Sequence, residues 1–222
     1  NGIIGEKDAC GVGFIANVEG IESNWILKQS LKGLNCMEHR GGCGGDSDSG
    51  DGAGILCSIP WGYLEEKINL KNTQEFNRGL GMVFMPNKKE KIEVCKSICD
   101  QEAEKLKVNK TSWRTVPVNN EILGPLAKAN APFICQWILY IDKKDHQDVE
   151  RLLFQLRKRI EKKIRETFKN DVGDCEFYFA SLSSQTVVYK GMVRSEILSE
   201  FYQDLKEESF KVSFSVYHRR FS

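Results

Sequence analysis

Along the chain, apolar positions recur with two periods. Short runs rich in β-branched and aromatic residues, "GVGFIANV", "GILCSI", "LGMVFM", "WRTVPV", "FICQWILYI", "CEFYFASL", "QTVVYKG" and "FKVSFSVYH", predict strands. Between them the spacing shifts to three and four. Leu27, Leu31 and Leu34, after Ser23 as N-cap and before Gly41-Gly42, predict a helix over 24–38. Ile92, Cys95, Cys99 and Leu106 predict a second over 90–106. Val149, Leu152, Leu153, Leu156, Ile160, Ile164 and Phe168 predict a third, and "RSEILSEFYQDL" a fourth. Strict strand-helix alternation is absent, and strands come in hairpin-like pairs, as at 176–190, where "SLSS" supplies the turn. This order predicts an α+β fold with mainly antiparallel sheets in a single domain.

Composition narrows the class. With 41% hydrophobic residues over 222 positions the chain can bury a sizeable core. No window approaches the roughly 18 consecutive apolar residues of a membrane span, so no membrane is expected. "NGIIGEKDA" shows neither the basic nor the apolar region of an export signal. Thirty-two basic against 31 acidic residues leave a charge of +1, which gives no global field toward nucleic acid. The expected partner is a small molecule or a protein. Eight cysteines are too few for a disulfide scaffold of this length, and reduced thiols are expected. The chain has no initiator Met and stops at "HRRFS", inside a strand pattern, so it reads as a segment of something longer.

Several candidate sites carry a plainer explanation. Cys95 and Cys99 lie on the apolar stripe of one helix and read as core. Cys36, His39 and Cys43 lack a fourth ligand, so no metal is expected. The basic residues from Arg157 to Arg165 read as a solvated helix face. "GGCGGDSDSGDGAG", residues 41–54, holds seven glycines in fourteen positions, yet fits neither a phosphate loop nor a calcium loop.

Strand parity raises two residues above this background. Cys10 shares a face with Val12, Phe14, Ala16 and Val18, expected to be the core-facing row. Phe210, Val212, Phe214 and Val216 form the expected inward row of a later strand, continued by His218 and Arg220. An inward arginine needs a carboxylate partner, and either the strand ends first or Arg220 floors a cleft that clamps a substrate carboxylate. Arg219, of opposite parity, is expected to tolerate substitution.

"DACGVGFIA", "LNCMEHRGGCGGDSDSGDGAGIL", "VPVNNEILGPLAKANAPFICQWIL", "SLSSQTVVYKGM" and "FSVYHRRFS" resemble the N-terminal class 2 glutamine amidotransferase domain of glutamate synthases, of the large-subunit or ferredoxin-dependent type. The resemblance implies an N-terminal nucleophile hydrolase, a four-layer αββα sandwich with mainly antiparallel sheets, incomplete in this segment. Residues 1–9 would be a propeptide remnant, and 10–222 the N-terminal part of the amidotransferase domain. Cleavage before Cys10 would give it a free α-amine, whose pKa near ~7.7–8.0 suits a base for the thiol. Cys10 would attack the side-chain amide of L-glutamine and release ammonia for 2-oxoglutarate. Arg220 would hold the substrate α-carboxylate, with the Phe221 backbone beside it, and Arg40 would organise the glycine loop.

By the same resemblance this segment holds no cofactor. FMN and an iron–sulfur cluster would belong to the remaining synthase domains, and electrons would come from ferredoxin or a nicotinamide-nucleotide-dependent small subunit. The compartment would be cytoplasmic or plastid stroma. The family's oxyanion-hole Asn-Gly pair and amine-binding aspartate fall past Ser222. Loss of such a donor costs about 10² to 10³ in rate, so the segment by itself is expected to be nearly inactive. The alternatives are another class 2 amidotransferase or a non-catalytic glutamine-binding module.

Overall fold

Where β-branched and aromatic residues alternate, the backbone is extended, and the resulting strands assemble into two antiparallel sheets. The computed structural model describes residues 11–38, 49–68, 76–142, 145–169 and 176–219. The first sheet has the order β1 (Gly11–Ala16), β8 (Phe214–Arg219), β2 (Ser49–Ser58), β7 (Thr186–Val193). The second runs β4 (Lys110–Thr115), β5 (Phe133–Asp142), β3 (Phe76–Met85), β6 (Tyr178–Ser183). Helices α1 (Asn24–Cys36), α2 (Trp61–Ile68), α3 (Lys89–Lys105), α4 (Pro125–Ala129), α5 (His146–Thr167) and α6 (Leu198–Phe201) lie between them in the chain.

The near-continuous apolar run of β5 follows from burial on both faces. Cys135, Trp137, Leu139 and Ile141 join Val83 and Met85 of β3 beneath α3 and α5, where Cys95, Cys99, Leu153, Leu156 and Ile160 are buried. Ile134, Ile138 and Tyr140 face the other way, into a core shared with Leu27 and Leu34 of α1, Tyr63 and Leu64 of α2, and Ile55, Cys57, Val187 and Tyr189 of the first sheet. The α+β class and antiparallel sheets are as expected, but one apolar face of the first sheet is exposed among the described residues.

That open face corrects the expected strand phase. Val12 and Phe14 are 61% and 74% exposed, while the opposite row, Gly11, Gly13 and Ile15, lies toward α1. Helix α1 approaches closely because Gly13 and Gly33 leave room for the Tyr217 ring: a Cβ on Gly13 would lie 2.5 Å from ring atoms, and one on Gly33 2.7 Å from Cζ. Both rows of β1 are apolar or glycine, so alternation alone does not say which one is covered.

Four further features depart from expectation. The strands of 176–190 form no hairpin: β6 pairs with β3 and β7 with β2, so the Ser184-Gln185 turn passes the chain from one sheet to the other. Residues 194–205 form a 3-10 turn, the short α6 and a second 3-10 turn rather than one helix, broken at Tyr202, whose backbone is extended and bridges to Val118. Helix α2 was not expected; it buries Tyr63 and Leu64. Ser23 holds the N-cap position of α1, but its side chain caps nothing, and its backbone bridges to Val212 instead.

The break at Tyr202 delivers Asp204, fully buried, into the core. Its Oδ1 accepts from Tyr63 Oη at 2.7 Å and Arg114 Nη2 at 2.7 Å; its Oδ2 accepts from Arg114 Nη1 at 2.8 Å and Tyr189 Oη at 3.0 Å. Gln136 closes the ring, accepting from Arg114 Nη1 at 2.7 Å and donating to Tyr189 Oη at 2.9 Å. Burial disfavours the Arg114 charge, but the Asp204 carboxylate outweighs it, while burial and Asp204 push the Tyr63 and Tyr189 hydroxyls up. Asp204→Ala strands this guanidinium and is expected to cost about 3–5 kcal/mol in urea unfolding, with Asp204→Asn milder because it keeps hydrogen-bonding capacity.

Candidate functional site

Gly11 and Arg219 form the last described pair where β1 runs beside β8. Arg219 also pairs with Ala53 of β2, so its two cross-strand neighbours are small. This leaves space for a guanidinium in a position where a strand ordinarily carries an apolar side chain. The residue is 0% exposed.

Its charge is answered locally. Nη2 donates to Glu38 Oε1 at 2.9 Å, and Nη1 donates to the Gly52 carbonyl at 2.9 Å. Glu38 lies just past the end of α1, and its Oε2 accepts from the Ser195 backbone N–H at 3.0 Å. Gly52 has φ 110°, a conformation L side chains rarely adopt, which a glycine supplies without strain. One guanidinium thus ties the exit of α1 to the first half of β2, bracketing residues 39–51. Partial burial pushes the Glu38 pKa up, but hydrogen bonds from Ser195 and the Arg219 charge outweigh this and hold it below the ordinary glutamate value. Burial lowers the His218 pKa, favouring the neutral imidazole.

Cys10, Arg220, Phe221 and Arg40 lie outside the described residues. The structure overturns one expectation beside them: Arg219 is the inward arginine of β8, whereas Val216 is 37% exposed. Its opposite parity was read correctly, but the covered face is the one it occupies. No signal in "HRRFS" alone reveals this, because the decisive evidence is pairing with Gly11 and Ala53. Glu38, missed as a partner, sits in "MEHRGG", where only its contact with a residue 181 positions away gives it a role.

The described thiols separate into two environments. Cys57, Cys95, Cys99 and Cys135 are buried, and Cys36 is exposed. Burial pushes Cys57 and Cys99 far up and Cys135 up to about 12, so none of these three is a thiolate at neutral pH. Cys95 and Cys99 pack in the core, as expected.

A family model of class II glutamine amidotransferases matches residues 10–222. The chain belongs to this family. Its relatives include the chloroplastic ferredoxin-dependent glutamate synthase of Oryza sativa subsp. japonica, 43% identical over the whole chain, and ferredoxin-dependent glutamate synthase 2 of Synechocystis, 44% identical over 99% of it. The chain spans 14% of the length of either relative. Within this amidotransferase chain, the match starts at Cys10, and its last described residue is Arg219.

Because the folded pKa of Glu38 is depressed, its pairing contributes stability at pH values above the unfolded value near 4.5 and loses it as pH falls through the folded value. Glu38→Gln removes that dependence. Wild type is expected to exceed the variant in stability at neutral pH, with the gap closing below pH 4.5 in an acid titration followed by circular dichroism.

Proposed function

We propose that this chain is the glutaminase part of a glutamate synthase, with Cys10 as nucleophile. The family match that begins at Cys10 carries the reading. The high pKa values of Cys57, Cys99 and Cys135 support it, since a nucleophile must be available as a thiolate.

In this reading a propeptide ending at Ala9 is removed, and the freed α-amine takes the thiol proton. The sulfur attacks the amide carbon of glutamine and forms a tetrahedral adduct. Proton transfer to nitrogen lets ammonia leave, and the γ-glutamyl thioester remains. Water then attacks that carbonyl, which returns the thiol and releases glutamate. Arg220 holds the substrate α-carboxylate through its planar fork, with Phe221 beside it.

The ammonia is passed to 2-oxoglutarate by the remaining synthase domains, which carry FMN and an iron–sulfur cluster and take electrons from ferredoxin, the donor named for the relatives. The described cysteines do not fit a cluster: Cys95, Cys99 and Cys135 pack among apolar side chains, and no group of three metal-ligating residues occurs among the described residues. No helix among the described residues is long and apolar enough to cross a membrane. Plastid stroma is the proposed compartment, after the chloroplastic relatives.

In the full-length protein, Cys10→Ala is expected to abolish glutamine-dependent synthesis while ammonia-dependent synthesis survives. N-terminal sequencing of active protein should begin at Cys10; an intact "NGIIGEKDA" on fully active protein overturns the amine-base mechanism. Arg220→Lys keeps the charge but loses the fork, and should weaken glutamine use mainly through KM, by roughly 1.5–3 kcal/mol.

A further inference from the structure

We propose that Glu38 and Arg219 act as a positioning pair for glutamine hydrolysis, a role that rests on the glutaminase reading above. Arg219 does not fit a substrate clamp: it has no solvent exposure, and its two Nη atoms are already committed to Glu38 and the Gly52 carbonyl. Its location supplies the alternative. It occupies the residue before Arg220 and pairs with Gly11, the residue after Cys10. The residues proposed as nucleophile and carboxylate clamp are therefore each one peptide bond along the sequence from the Gly11–Arg219 pair.

Stability alone is a weak reason for such a residue. A buried ion pair often contributes little over apolar packing of similar volume. Here the Nε–H also lacks an acceptor among the described residues, which is a further cost. What the pair supplies is geometry. Glu38 fixes the guanidinium from the α1 side, and the Ser195 N–H fixes Glu38 from the β7 side. The Gly52 carbonyl fixes it from β2. With the guanidinium held by Glu38 and Gly52, the end of β8 cannot shift relative to β2 and the exit of α1 without breaking a charged hydrogen bond.

The test uses the full-length protein and 6-diazo-5-oxo-L-norleucine, an electrophilic glutamine analogue that alkylates the nucleophile. Glu38→Gln keeps shape and polarity but leaves the guanidinium uncompensated, and Arg219→Lys loses the fork. Each is expected to slow the limiting inactivation rate by about 10-fold to 10²-fold while the half-saturating analogue concentration shifts less than about threefold, the pattern of misplacement rather than lost binding. Glu38→Gln combined with Arg219→Lys should be no slower than the worse single variant, because the two act as one unit. Ammonia-dependent synthesis should persist in Glu38→Gln. Inactivation rates within twofold of wild type in both single variants overturn the proposal. So does a parallel loss of glutamine- and ammonia-dependent synthesis with a lowered unfolding midpoint, which marks a structural brace only. Failure of the glutaminase reading would show separately, as wild-type protein that the analogue leaves active or labels away from Cys10.

Discussion

A guanidinium without solvent contact must have its charge answered by protein, and at Arg219 that requirement organises one end of the first sheet. Small neighbours on both adjacent strands, Gly11 and Ala53, give it room. A glycine with positive φ turns a carbonyl toward it, and a glutamate at the exit of α1 supplies the opposite charge. The glycines of "CGVG" likewise find their reason across the sheet, where Gly11 lies opposite Arg219 and Gly13 makes way for Tyr217.

The same device recurs where the two sheets meet. Asp204 and Arg114 form a buried, doubly hydrogen-bonded pair closed by Tyr63, Tyr189 and Gln136. Apolar packing between sheets tolerates many relative placements, because dispersion and burial are not directional. A charged ring with fixed angles does not. The apolar clusters supply the drive to condense, and the two ion pairs select the arrangement in which the sheets and α1 come to rest.

For a class II amidotransferase this has a functional consequence. Chemistry on an amide needs the reacting groups held in a narrow range of geometry, and β1 and β8, whose ends adjoin the residues proposed for that chemistry, are neighbours in one sheet with defined register. The open face with Val12, Phe14 and Val216 lies opposite the face where Arg219 is enclosed.

The sequence by itself determined the α+β class, the antiparallel tendency, three of the longer helices and the family, because these rest on local periodicity and on long ordered motifs. It also placed Cys95 and Cys99 in a core, since helical spacing puts both on one apolar stripe. Which face of β1 and β8 is covered was decided only by tertiary structure: both rows of β1 are apolar or glycine, each row of β8 mixes apolar and polar residues, and the deciding contact comes from α1. The separation of β6 from β7 followed from pairing with different partners, which a short turn cannot reveal. The roles of Glu38, Asp204 and Arg219 were hidden for the same reason, as a buried charge is defined by its partner, and those partners lie 181 and 90 residues away along the chain.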